Sequence, residues 1–147
     1  MKHLFSLKRV YAHCDIPCGI YDPHAAQIAS LTVLRMLDLM SKSGEIHDLA
    51  RYIAVKEEHA EKCKYEIRII WGDFFAEEDI NAEINQLVHR IMKLASMAKQ
   101  GKDLKLGVEL LEAVNHFAEL FWAKKDIKTK RVAAPYKVEA EMVVPEL

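Results

Sequence analysis

The sequence predicts an all-α protein, an up-down-up-down four-helix bundle preceded by a short segment that contains two cysteines. Three observations support this fold class. Apolar residues recur at steps of three and four along four separate segments, which is the spacing of one face of an α-helix. The connections between these segments are short, which favours antiparallel neighbours. Residues 22–125 contain no alternating apolar run of strand length.

Helices one and two have clear start and stop signals. Helix one is predicted to begin at Asp22, a capping residue that is followed by proline, and to end near Gly44. Helix two is predicted to end at Gly72. Only Lys56 interrupts its heptad-like apolar seam, whose members are Ile46, Leu49, Ile53, Ala60, Cys63, Ile67 and Ile70.

Helices three and four complete the predicted bundle, which spans residues 22–125. Helix three is predicted from about Glu78 to Lys99, with acidic residues at its positive dipole end and Gly101 as its stop. Helix four is predicted to begin near Asp103 and to close with lysines.

Both ends of the chain differ from the bundle. Residues 1–12 are basic and contain no acid, so they are either a frayed N-terminus or a leader that is removed after Ala12. Residues 126–147 contain Pro135 and Pro145, which break helices. They are predicted to form an extended or disordered tail, either loose or laid on a partner subunit.

Composition excludes several classes of function. The net charge is −1, from 21 basic and 22 acidic residues, so no overall field attracts nucleic acid. No apolar run approaches the roughly 20 residues that span a bilayer. Three cysteines in 147 residues argue against a disulfide framework and favour a reducing compartment. We therefore expect no nucleic-acid partner and no membrane partner.

The stretch AHCDIPCGIYDP, residues 12–23, holds the densest group of soft ligands in the chain. His13, Cys14 and Cys18 offer thiolate and imidazole donors, which suit late first-row metals. Their spacing matches neither haem attachment nor a C-x-x-C redox pair, and a structural zinc site needs a fourth ligand. The next cysteine, Cys63, belongs to the apolar seam of helix two. A metal site and a pair of exposed structural cysteines both remain open on this pattern.

Removal of the first twelve residues would change the chemistry of this cluster. His13 would then provide a free α-amine and an imidazole, Cys14 its backbone nitrogen and thiolate, and Cys18 a second thiolate. Two nitrogens and two sulfurs form the planar field that Ni(II) prefers, and an axial imidazole favours Ni(III). Gly19 permits the backbone turn that follows the second cysteine.

The stretch HCDIPCGIYDP resembles the N-terminal nickel hook of nickel-containing superoxide dismutases, whose pattern is H-C-x-x-P-C-G-x-Y. The resemblance covers residues 13 to about 125. It implies a processed N-terminus, one nickel ion per subunit and a cytoplasmic homohexamer. It also implies the reaction, in which two superoxide anions and two protons give dioxygen and hydrogen peroxide.

The resemblance also implies roles for the residues of the hook, 13–21. The nickel ligands would be His13 through amine and imidazole, Cys14 through amide and thiolate, and Cys18 through its thiolate. Asp15 and Tyr21 would flank the open axial face, where they would position superoxide or a proton-bearing water.

Three positions depart from the family pattern. Well-known members orient the axial histidine with a glutamate early in helix one and an arginine in helix two, and the matching positions here are Ala29 and His59. A second tyrosine of the family is Phe74 in this chain. His59 is a candidate for part of the orienting role, because such partners set ligand orientation and metal affinity.

Three functions compete on these observations. The first is a nickel superoxide dismutase whose mature chain begins at His13. The second is a non-enzymatic nickel-binding or nickel-trafficking bundle that has lost turnover. The third is a helical interaction protein whose cysteines are incidental.

Overall fold

Four antiparallel helices and a C-terminal β-hairpin make up the described chain. The computed structural model describes residues 19–75 and 82–147. Its elements are α1 (His24–Lys42), α2 (Ile46–Asp73), α3 (Ala82–Gln100), α4 (Leu104–Lys124), β1 (Thr129–Ala133) and β2 (Glu141–Pro145). Each helix packs against its two neighbours in the order α1, α2, α3, α4, so the predicted four-helix bundle is confirmed. The predicted hook and the expected first turn of helix three lie outside the described residues.

Side-chain caps explain where two of the helices begin. The Asp22 carboxylate accepts a hydrogen bond of 2.7 Å from the backbone nitrogen of His24. The Asp103 carboxylate accepts one of 2.9 Å from the backbone nitrogen of Lys105. Both carboxylates satisfy donors that have no partner within the helix. Both predicted starts are therefore confirmed to within two residues.

The core lies between the four helices and is mostly apolar. Its largest fully buried apolar side chains include Leu37, Ile67, Ile91, Leu110, Phe117 and Phe121. Gly107 lets α1 and α4 approach closely, because a Cβ there would lie 2.9 Å from the Cα of Leu34. Apart from Lys56, the charged residues of the described helices are exposed or partly exposed. Across residues 19–75 and 82–147, no helix combines the length and the apolar content that crossing a bilayer requires.

The seam of α2 is buried only from Lys56 onward. Ile46 is 84% exposed and Ile53 is 39% exposed, so the prediction that they belong to the buried seam is wrong. The reason is length. Helix α2 has 28 residues and α3 has 19, and the end of α3 is level with Lys56. The first turns of α2 therefore extend past α3.

Lys56, which interrupts the apolar seam, closes the end of α3. Its side chain is 2% exposed. The ammonium donates hydrogen bonds to the backbone oxygens of Lys99, at 2.9 Å, and Gly101, at 2.5 Å. The last carbonyls of a helix have no partner within it and carry the negative end of its dipole. A buried cation at this position satisfies both requirements.

The C-terminal segment forms a hairpin that packs on its own chain. Strands β1 and β2 pair antiparallel, with Arg131 opposite Val143. The buried amide of Gln27 on α1 donates to the oxygen of Val143 at 3.1 Å and accepts from its nitrogen at 2.7 Å. The amide of Asn115 on α4 donates to the oxygen of Glu141 at 3.0 Å. Two buried helix side chains thus pair with the backbone of β2.

Arg131 adds a charged link between the hairpin and α4. Its Nη atoms donate to both carboxylate oxygens of Glu112 at 2.8 Å, and its Nε donates to Glu119 at 2.8 Å. The hydrogen bonds from Arg131 hold the pKa of Glu112 below its usual range.

Candidate metal centre

One of the five predicted site residues lies within the described chain. It is Tyr21, and the residues outside are His13, Cys14, Asp15 and Cys18. The described chain begins at Gly19, which has a φ of 71°. This is the left-handed region that glycine adopts without steric cost. The backbone turn expected immediately after the second cysteine is therefore present.

Tyr21 packs on an aromatic wall at the end of the bundle where α1 begins. Its ring is half-buried, with its centroid 5.9 Å from that of Phe74. Phe74 in turn lies 4.5 Å from Phe121 and 5.1 Å from Phe75, centroid to centroid. This packing fixes the path of the chain three residues after Cys18. It gives Tyr21 an anchoring role whatever its role in chemistry.

The wall beside Tyr21 is apolar because Phe74 replaces the second tyrosine that the resemblance leads one to expect. Its ring packs between Tyr21 and Phe121, so the position keeps its aromatic volume and lacks a hydroxyl. The sequence did not single out Phe121 as part of this wall. Only the register between α2 and α4 brings the two phenylalanines together, and no local pattern reports that register.

A lysine from the end of α4 lies at the same end of the bundle. The Nζ of Lys125 is 5.5 Å from the ring centroid of Phe121 and 5.3 Å from that of Trp122, within the range of a cation–π contact. Phe121 therefore contacts both this cation and the aromatic wall. Asp22 and Asp73 are exposed at the same end, so charges of both signs surround the region.

The two positions that match the expected orienting pair, Ala29 and His59, are both described. Ala29 is fully buried and has no polar side-chain atom. His59 lies on α2, and its Nδ1 is shielded from solvent without a hydrogen-bond partner in the described part of the chain. Buried polar atoms in folded proteins almost always have a partner.

Cys63 behaves as a core residue. It is fully buried, and burial raises the pKa of its thiol to about 12, so the thiol stays protonated at neutral pH. Among residues 19–75 and 82–147, no three histidine, cysteine, aspartate or glutamate side chains are grouped closely enough to hold a metal ion.

Comparison with known proteins decides the family. The model of nickel-containing superoxide dismutases matches residues 8–125 of this chain. This chain belongs to the nickel-containing superoxide dismutase family. It is accordingly an oxidoreductase whose cofactor is nickel and whose substrate is superoxide.

Individual nickel superoxide dismutases agree with the family model. A relative of that name from Streptomyces coelicolor is 34% identical over 128 residues, which cover 85% of this chain and 98% of the relative. One from Streptomyces seoulensis is 32% identical over the same shares. A native nickel superoxide dismutase structure at 1.30 Å has a TM-score of 0.73 at 33% identity, covering 77% of this chain and 99% of its own.

The donors of this dismutase fit its cofactor. The residue types within 13–18 would supply two thiolates and nitrogen donors, a soft and strong field that suits nickel. The described helices add one unpaired buried nitrogen, Nδ1 of His59, which can accept a hydrogen bond from a metal-bound imidazole. The match to the family model ends at residue 125, so the hairpin of this dismutase lies beyond it.

Proposed function

We propose that the mature dismutase begins at His13 and holds one nickel ion per subunit through the hook. The ligands are the amine and imidazole of His13, the amide and thiolate of Cys14, and the thiolate of Cys18. Bound nickel supplies one-electron chemistry by alternating between the Ni(III) and Ni(II) states. The observation that best supports this proposal is the pattern HCDIPCGIYDP, in which these donors fall within six residues.

Removal of residues 1–12 is part of this proposal. Two features of the comparisons support it. The curated relatives match 85% of this chain over 98% of their length. The native solved chain matches only 77% of it over 99% of its length, so the solved chain is shorter than the curated sequences. Removal of a leader would produce such a difference.

Tyr21 and Asp15 serve the reaction by controlling access and protons. Two superoxide anions and two protons yield one dioxygen and one hydrogen peroxide, so one electron moves from the first superoxide to the second. The second superoxide takes up both protons. Tyr21 packs against the apolar wall that contains Phe74 and Phe121. Asp15 and the Tyr21 hydroxyl position superoxide or a proton-bearing water at the open face.

Assembly and location complete the proposal. The dismutase forms a homohexamer in the cytoplasm after a maturation protease exposes His13. Ile20, next to Tyr21, is 85% exposed, and contact with another subunit would remove this apolar side chain from water.

One comparison of chain ends tests the proposal. Two forms are prepared, one that begins at His13 and one that retains residues 1–12, and nickel content and superoxide turnover are measured on both. We expect one nickel per chain and rapid turnover only in the form that begins at His13. Rapid turnover in the longer form would refute the coordination by a free amine. Nickel without turnover in the shorter form would favour the non-enzymatic alternative.

Substitutions of the donors test the ligand set. Cys14→Ser and Cys18→Ser are expected to abolish the thiolate–nickel absorption bands and all activity. The matched control is Cys63→Ala, which removes a buried thiol and leaves both bands and activity in place. His13→Ala is expected to retain nickel and to lose turnover, because the substitution keeps the α-amine of residue 13 and removes only its imidazole.

A further inference from the structure

An open cavity lies between the outer face of α1 and the loop that joins β1 to β2. Its volume is about 350 Å³, which is in the size range of sites for small ligands. The loop lies beyond residue 125, where the match to the family model ends. One wall of the cavity is therefore built from a segment outside the family pattern.

Helix α1 supplies the inner wall of the cavity. Its lining residues are spaced by three and four and so form one stripe of the helix, which consists of Ile28, Leu31, Thr32, Arg35 and Met36. Leu31 is buried in a cluster with Ala134 and Met142, so this wall is anchored in packed residues. From Ile28 to Arg35 the stripe extends about 10 Å along the helix axis, which is close to the length of an extended octanoate chain.

The loop supplies the outer wall through Tyr136, Lys137 and Val138. Two backbone hydrogen bonds shape this loop. The nitrogen of Ala134 donates to the oxygen of Ala140 at 2.9 Å, and the nitrogen of Val138 donates to the oxygen of Tyr136 at 2.8 Å, which closes a γ-turn. Tyr136 is 50% exposed, so a ligand in the cavity would remove part of a large apolar ring from water.

The charges that line this cavity are of one sign. They belong to Arg35 and Lys137, and none of the lining residues is acidic. Nη1 of Arg35 donates to Oδ2 of Asp38 at 2.7 Å, but a guanidinium has five N–H donors. Within residues 19–75 and 82–147, the ammonium of Lys137 has no ion-pair partner. The lining therefore complements an anion, which could accept charge-assisted hydrogen bonds from both side chains.

A second cavity adjoins the same loop and differs in charge. Its volume is about 550 Å³, and it shares Arg35 and Lys137 with the first. Its lining also includes Lys42 and the two acidic residues Asp38 and Glu139, which offset most of the basic charge. An anion with an apolar body therefore fits the first cavity better than the second.

We propose that the first cavity binds the anion of a medium-chain fatty acid. The alkyl chain lies between the stripe of α1 and the side chains of Tyr136 and Val138. The carboxylate accepts hydrogen bonds from Lys137 and Arg35. Burial of the alkyl chain stabilises the complex, and the two cations favour a carboxylate over a neutral or positively charged head group. The inference is independent of the proposed metal centre, because no residue of the hook takes part in it.

Calorimetric titration of the full chain with octanoate tests this inference. Octylamine is the matched probe, because it has the same alkyl chain and a positive charge at neutral pH. We expect one saturable site per chain for octanoate and binding of octylamine that is about 10-fold weaker or less. Each buried methylene contributes about 0.8 kcal/mol, so octanoate should bind about 15-fold more tightly than hexanoate.

Three variants and a spectrum locate the site. Lys137→Glu reverses one lining charge and is expected to weaken octanoate binding by about 10-fold or more. Lys130→Glu is the matched control, because Lys130 is an exposed lysine of the same hairpin outside the cavity, and it should bind octanoate as the unsubstituted protein does. Thr32→Phe fills the cavity and is expected to prevent binding, with circular dichroism confirming that the variant is folded.

Methyl nuclear magnetic resonance spectra then show where octanoate binds. The methyl signals of Ile28 and Val138 are expected to shift on titration. Ile53 is the internal control, since it is exposed on α2 and does not line the cavity, and its signal should stay in place.

Several results would overturn the inference. An unsubstituted protein without saturable octanoate binding would refute it outright, and equal affinity for octanoate and octylamine would refute selection by charge. Unchanged binding in Lys137→Glu or in folded Thr32→Phe would refute the site, as would a shift of the Ile53 signal as large as that of Ile28.

Discussion

Replacement of Lys56 by methionine tests whether one buried cation stabilises the end of the bundle opposite the start of α1. In the folded protein the Lys56 ammonium donates to the backbone oxygens of Lys99 and Gly101, and the side chain is 2% exposed. Methionine has a similar length and flexibility, so it fills most of the same volume. The substitution therefore removes the charge and both hydrogen bonds with little change in packing.

The expected loss of stability follows from these contacts. A hydrogen bond to a charged group contributes about 1.5–3 kcal/mol, and a cation at a helix C-terminus about 0.3–1 kcal/mol. Burial offsets part of this gain, because desolvation lowers the pKa of Lys56 and so opposes its charged form. We therefore expect Lys56→Met to lose about 2–4 kcal/mol of unfolding free energy, which lowers Tm by roughly 5–15 °C in a chain of this size.

Urea unfolding of the metal-free protein, followed by circular dichroism, measures this loss. Lys62→Met is the matched control, because Lys62 is an exposed lysine on the same helix and its substitution should change the unfolding free energy by no more than about 0.5 kcal/mol. Equal stability of the two variants would refute the reasoning, since the contacts of Lys56 with α3 would then contribute nothing.

Three further predictions follow from buried or paired groups. Gln27→Ala should destabilise the fold by about 2–4 kcal/mol and remove hydrogen-exchange protection at Val143, measured by mass spectrometry. The pKa of Glu112 is lowered from 4.5 in the folded state, so its interaction with Arg131 stabilises the protein above that pH and is lost as pH falls through the lowered value. In Arg131→Gln the free energy of unfolding, measured by urea at several pH values, should therefore fall less steeply as the pH is lowered. Cys63 should resist iodoacetamide at neutral pH until the chain unfolds, because its pKa is about 12.

Helical periodicity made the bundle predictable, because four apolar faces at the 3.6-residue period can be buried only against one another. The same periodicity led to a wrong prediction of burial at the start of α2. Ile46 and Ile53 continue the seam in sequence, yet they are exposed because α3 is too short to cover them. Periodicity reports which residues share a face and does not report how far the neighbouring helix extends.

Polar residues on buried faces carried information that periodicity could not interpret. Gln27 and Asn115 are buried on faces that are otherwise apolar, and the structure pairs them with the backbone of β2. Such side chains signal that a further element packs there. Identifying that element requires the path of residues 126–147, where two prolines and a weak extended pattern left both an extended and a disordered tail open.

The candidate site also combines residues that are close in sequence with residues that only the packing of the helices brings together. The predicted hook is a local sequence motif, so its donor types and their spacing can be identified from the sequence alone. The wall behind Tyr21 combines Phe74 at the end of α2 with Phe121 near the end of α4, and only the packed bundle brings them together. The unpaired state of His59 is likewise visible only in three dimensions.

The C-terminal hairpin matters for the candidate metal centre because it contacts the start of α1. Gln27, which pairs with Val143, lies in the first turn of α1, six residues after Tyr21. The start of α1 is therefore held by α2, by α4 and by β2, a contact that lies beyond the region matched by the family model. Ligand geometry depends on rigid support close to the metal. The contact between Gln27 and Val143 thus gives additional support to the start of the helix that follows the predicted hook.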